Sequence, residues 1–139
     1  MPKRRRGARH LPRSTPQRAR HERFERLVDR ALAGIPSPFR ESLVEVAIVI
    51  EDEPTLDQLR DNGLDADETL YGLYEGVPRT EWGADWVLAP NKISLFRLPL
   101  EDDFPDPDDL AEEVRITVIH ELAHHLGIDD DRLEELGVD

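Results

Sequence analysis

Apolar positions along this chain switch between the helical and the strand period. Phe24, Leu27, Val28 and Ala31 fall at i, i+3, i+4 and i+7, which predicts an amphipathic helix from about Ala19 to Gly34, with Gly34 and Pro36 to stop it. In LVEVAIVIED the period becomes two: Val44, Val46, Ile48 and Ile50 alternate with other residues, which argues for a strand through about Glu51. PTLDQLRDNG predicts a short helix or turn ending at Gly63. ETLYGLYEGVP is punctuated by Gly72, Gly76 and Pro78, too closely for a long helix, and predicts strand and turn. NKISLFRLPL predicts another short strand, about Ile93 to Leu98, after a turn marked by Pro90 and Asn91.

The last long element has the clearest boundaries. Asp106 suits an N-cap and Pro107 the first helical position, while Asp108, Asp109, Glu112 and Glu113 put negative charge at the positive end of the helix dipole. Leu110, Val114, Val118, Leu122 and Leu126 then recur every four residues, a stripe that packs the helix on a sheet. From Ile116 onward most positions are apolar, which implies burial on more than one side. Together these elements predict an α+β domain in which a small mixed sheet packs on an N-terminal helix and this C-terminal one.

Charge divides the chain. Residues 1–20 hold eight Lys or Arg and no acid, so the remainder carries 10 basic against 31 acidic residues and a formal charge of −21 within the total of −13. The first 20 residues have almost nothing apolar to bury and read as a basic, disordered or weakly helical arm, most simply a solvated extension, with residues 21–139 as the single domain. The arm could meet nucleic acid or the chain's own acidic surface. It lacks an aromatic residue on which a base would stack, so nucleic acid is not the favoured partner. The sequence has no cysteine, so any metal here must use His, Asp or Glu. No apolar run reaches the ~18 residues of a membrane helix, and no signal-peptide pattern opens the chain; the expectation is a soluble, cytoplasmic protein without membrane contact.

Three of the five histidines lie in VIHELAHHLGIDDDRLEELG, residues 118–137. His120 and His124, four apart on a helix, stack on one face and can aim two imidazole nitrogens at one point about 2.0–2.1 Å away, the Zn–N distance. Glu121 is turned about 100° from His120. It need not ligate, and its carboxylate can instead take a proton from a water whose pKa zinc has lowered toward ~7. Gly127 suits a left-handed helix end, after which the chain reverses and Asp130 can return as third ligand, leaving a fourth position for water. H-E-x-x-H-x-x-G-x-x-D is therefore read as one unit: His120, His124 and Asp130 as ligands of one Zn2+ per chain and Glu121 as general base of a hydrolase. At this chain's composition H-E-x-x-H alone arises by chance in roughly 2% of such chains, whereas the longer pattern falls to about one in ten thousand, so the longer pattern carries the argument. Asp129, Asp130 or Asp131 can also cap a final helix, with Asp131 and Glu134 in capping-box spacing. His125 faces away from the metal and reads as a packing residue or a support for the ligands.

The motif resembles that of the zincin metallopeptidases. HELAHHLGIDD, together with LYGLYEGVP and ISLFRLPL, is similar to small bacterial zincin-like proteins described as minimal zinc proteases with a matrix-metalloprotease-like domain. The resemblance covers about residues 22–137 and implies a reduced zincin fold, with the motif helix beneath a small mixed sheet and a substrate cleft between helix and edge strand. By it, ISLFR is the edge strand that binds an extended peptide by strand addition. Asp130 stands where metzincins have a third histidine. Met1 is the only methionine, so the Met-turn is missing, and nine residues follow Asp130, fewer than the C-terminal subdomain of larger proteases needs. Tyr71, Tyr74 and Arg97 are candidates to stabilise an oxyanion, and packing or surface roles account for them equally well.

Three functions remain open. A zinc peptidase acting on peptides or proteins, basic ones by charge complementarity, accounts for Glu121. A metal-stabilised module that binds peptide or protein without turnover accounts for the short cleft. A bacterial RNA-maturation metalloprotein family shares the H-x3-H-x5 ligand spacing, but it has Gly where Glu121 stands, and the acidic body would repel phosphates.

Overall fold

The computed structural model describes residues 15–76 and 91–136, without the side chains of Asp130 and Leu136. The expectations for residues 1–14, for the turn at Pro90 and for Pro78 lie outside the described residues.

Helix α1, Pro16–Ala33, starts earlier than its apolar stripe predicts. Thr15 accepts a hydrogen bond from the Arg18 backbone N–H at 3.0 Å, and Pro16 occupies the first turn, where a missing N–H costs nothing. Phe24, Val28 and Ala31 are buried. A short helix α2, Phe39–Ser42, runs directly into a 3-10 turn at Leu43–Glu45, so strand β1 is only Ala47–Glu51. The alternation from Val44 is partly the chain turning: the Val46 N–H bonds back to the Leu43 carbonyl, and Val44 is 89% exposed. Helix α3, Leu56–Asp61, is fixed by a capping box in which the Thr55 hydroxyl accepts from the Gln58 N–H and the Gln58 side chain accepts from the Thr55 N–H.

Among the described residues, strands β2, Gly72–Glu75, and β3, Lys92–Phe96, form with β1 a three-stranded mixed sheet in the order β1-β3-β2. β1 pairs with β3 in parallel, Ile48 opposite Ile93, and β2 pairs with β3 antiparallel, Tyr74 opposite Ile93. ISLFR therefore does not form an edge: β3 is the central strand, and β2 is an edge among the described residues. Burial gives the reason, because Ile93, Ser94, Leu95 and Phe96 are all inaccessible, as in a strand covered on both faces.

β3 also ends sooner than expected. Arg97 begins helix α4, Arg97–Asp103, rather than continuing a strand to Leu98. Pro99 cannot donate to a strand ladder but fits the first turn of a helix. Arg97 itself is buried and holds Asp52 beyond β1 at 3.1 Å and Glu101 on its own helix at 2.8 Å.

Helix α5, Pro107–Leu126, follows its boundary signals. The Asp106 carboxylate accepts from the Asp108 and Asp109 N–H groups at 2.8 and 3.2 Å. At the far end Gly127 takes φ 75, and the N–H groups of Gly127 and Ile128 bond back to the His124 and Ala123 carbonyls. Leu110, Val114, Val118 and Leu122 are buried as the stripe predicts, against β3 and α1, with Ile93, Leu95, Phe24 and Phe39 in the same core. Burying each such side chain is worth about 1.5–3 kcal/mol. A final helix α6, Asp130–Leu136, packs through Leu133. Among the described residues no helix is long and apolar enough to cross a membrane.

Gly72 sets the distance between β2 and α5. A Cβ there would stand 2.6 Å from the Thr117 methyl, so only glycine lets the strand approach this closely.

Candidate metal centre and active site

α5 carries the H-E-x-x-H residues on its last two turns. His120 and His124 share one face. Glu121 and His125 share another, and both reach Tyr74 of β2. The Tyr74 backbone N–H donates to Glu121 Oε1 at 2.7 Å, which holds the carboxylate between helix and edge strand with 15% of the side chain exposed.

The two expected histidine ligands differ in burial. His120 is half-buried, and its Nε2 is inaccessible with no hydrogen-bond partner; the only other such buried atom among the described residues is Ser94 Oγ. His124 is 59% exposed, with Nδ1 3.4 Å from Glu121 Oε1, and borders a shallow depression of about 380 Å³ that Gly127, Ile128 and Asp129 also line. The apolar run from Ile116 thus overstated the burial of this turn. Its buried side chains are Leu122, Ala123 and His125, while His124 faces outward.

Asp130 is the first residue of α6, and its side chain lies outside the described residues. Its neighbour Asp129 caps that helix, accepting from the Arg132 N–H at 2.9 Å, so capping does not require Asp130. Among the described residues no three His, Asp or Glu side chains are grouped closely enough to hold a metal. The residues that are described fit zinc on chemical grounds. A buried imidazole nitrogen with no partner loses its hydration without compensation, a cost that a bound metal ion would remove. The second imidazole, His124, stands one turn along and offers another nitrogen donor of a kind that zinc accepts.

The three residues considered for an oxyanion are each engaged within the protein. The Arg97 guanidinium is bound to two carboxylates and almost fully buried. The Tyr71 hydroxyl donates to Asp103 at 2.5 Å, and that bond, with burial and the charges of Asp103 and Glu113 added, pushes its pKa up to about 12. The Tyr74 hydroxyl lies 3.0 Å from Asn91 Oδ1 and 3.2 Å from His125 Nδ1.

Two neighbours escaped sequence reasoning. Glu113, two turns before His120, has its carboxyl pushed above the usual range by burial, an effect that nearby His120 and a hydrogen bond with Thr117 partly offset. Glu45 reaches His125 across 80 positions of sequence. For Glu113 the helical spacing to His120 was a usable signal, but a pairing as distant as that of Glu45 leaves no mark on local pattern.

Residues 43–138 match the zincin-like metallopeptidase family, and the chain belongs to it. Membership implies metallopeptidase-type chemistry and zinc binding. The match begins at the 3-10 turn before β1 and so takes in β1, β2, β3 and both C-terminal helices. No curated protein matches the sequence.

Proposed function

We propose that this protein is a zinc-dependent peptidase in which His120, His124 and Asp130 hold one zinc ion and Glu121 is the general base. The observation that carries this reading is the Glu121 carboxylate, placed next in sequence to an unpartnered buried imidazole and held at the sheet's edge by the Tyr74 N–H. A helix that merely filled a core would not leave an imidazole nitrogen buried without a partner beside a carboxylate tied to a neighbouring strand. Zinc, when bound, supplies the Lewis acidity that lowers the pKa of water toward ~7 and polarises a scissile carbonyl.

The chain's own groups do the rest. An extended peptide lies along β2, which replaces β3 as the edge among the described residues, and across the end of α5; the Tyr74 N–H, already given to Glu121, is not open to it. Glu121 takes a proton from the attacking water and delivers it to the leaving amine as the peptide bond breaks. The acidic body favours basic peptides or proteins as substrates. A phosphate-bearing substrate would meet repulsion from the same charge, and this, with Glu121, sets RNA hydrolysis aside.

The test is cleavage of a peptide library by zinc-loaded wild type beside Glu121→Gln. The expected result is cleavage by wild type and a loss of about 10²–10⁴-fold in the variant with zinc retained. Equal cleavage by both would remove Glu121 from the mechanism. Zinc binding with no cleavage by either would leave a metal-stabilised binding module.

A further inference from the structure

His125 is wholly buried, yet it is a polar ring with both nitrogens engaged. Nδ1 lies 3.2 Å from the Tyr74 hydroxyl, and Nε2 lies 3.3 Å from Glu45 Oε1 in the turn before β1. The Tyr74 and His125 rings also touch, their centroids 5.7 Å apart at an angle of 59°. An apolar side chain could fill this volume without requiring Glu45 to supply an acceptor, so packing alone does not account for a histidine here.

Its place on the helix gives the reason. Glu121 and His125 are four residues apart and stack on one face of α5, and each holds a different part of the same strand residue. Glu121 takes the Tyr74 backbone N–H, while His125 meets the far end of the Tyr74 side chain. Tyr74 is thus gripped at both ends by one helix face, and the hydroxyl is tied as well to Asn91, just ahead of β3. Movement of the ring would turn the Tyr74 main chain, and with it the N–H that fixes the Glu121 carboxylate.

We infer that His125 is a positioning residue for Glu121, acting through Tyr74: by fixing the hydroxyl it fixes the strand, and the strand's N–H then holds the carboxylate in one orientation. The inference rests on the assignment of Glu121 as general base, for which a loosely held carboxylate would spend part of its time misaligned. Glu45 anchors the other side of the ring, so the linkage runs from the turn before β1, through the motif helix, to the edge strand and back to the helix.

The test is hydrogen exchange at the backbone amide of residue 74, measured on the full chain with and without zinc, in wild type, Tyr74→Phe, His125→Phe and the Tyr74→Phe/His125→Phe double variant. Glu121→Ala gives the rate for an amide without its acceptor. The expected result is exchange at least 10-fold faster in both single variants, toward the Glu121→Ala rate, with β3 amides unchanged and the double variant no faster than the faster single. With a cleaved peptide in hand, kcat falls about 10-fold in each single variant while KM and zinc content hold. Wild-type protection at residue 74 in Tyr74→Phe, the milder substitution, overturns the inference even if His125→Phe fails to fold. A wild-type protein that binds zinc and cleaves nothing overturns the catalytic assignment alone, because the exchange rates still decide whether His125 holds the carboxylate's partner.

Discussion

The carboxylate of Glu121 and the backbone N–H of Tyr74 meet at 2.7 Å, joining the motif helix to the edge strand by a bond that a glutamine could also accept. Glu121→Gln should therefore leave the fold nearly intact, at a cost of about 1 kcal/mol or less, while lowering hydrolysis about 10²–10⁴-fold. Thermal unfolding beside peptide cleavage checks both halves. A large loss of stability would mean that the charge, and not only the acceptor, holds the strand.

The approach of β2 to α5 depends on Gly72. Gly72→Ala should destabilise the protein by about 1–3 kcal/mol, because its Cβ would overlap the Thr117 methyl. Denaturant unfolding gives the value. Adding Thr117→Ser, which removes that methyl, should recover part of it.

Arg97 is a structural cation by its contacts. Arg97→Ala leaves the Asp52 and Glu101 carboxylates without their partner and should cost about 3 kcal/mol, near the low end for a broken buried pair because both acids reach solvent. Arg97→Lys should recover little, since one ammonium cannot span both acids as the guanidinium fork does. Denaturant midpoints of the two variants decide it.

Tyr71 should ionise only near pH 12, above its ordinary 10.0, because its hydroxyl donates to Asp103. The folded state holds this proton more tightly than the unfolded one. The stability from the bond is therefore complete below about pH 10 and is lost as pH rises toward about 12. Phenolate absorbance during a pH titration tests this, and Asp103→Asn should bring the transition back toward the ordinary value.

Much of this architecture was legible where local chemistry decides structure. Asp106, Pro107 and Gly127 marked both ends of α5, since caps act within a few residues, and the four-residue stripe marked its buried face. Legibility failed where tertiary contacts decide. Val44 shares the alternation of β1 but belongs to a turn, and Leu98 is apolar like a strand residue but follows the Arg97 ion pairs into a helix. The order of strands was hidden as well: ISLFR looks the same at an edge or in the centre, and only its neighbours distinguish the two. At the site, H-E-x-x-H was visible because a helix fixes the spacing of its side chains. The part played by Tyr74 and Glu45 was not, because pairing across 47 and 80 positions is set by the fold.

A zinc ion held by His120, His124 and Asp130 would show first in the metal content of the purified protein. Elemental analysis of purified wild type beside His120→Ala and Asp130→Ala should find about one zinc per wild-type chain and little in either variant. No zinc in wild type after zinc is offered would contradict the metal centre itself. Full zinc in Asp130→Ala would contradict its third ligand.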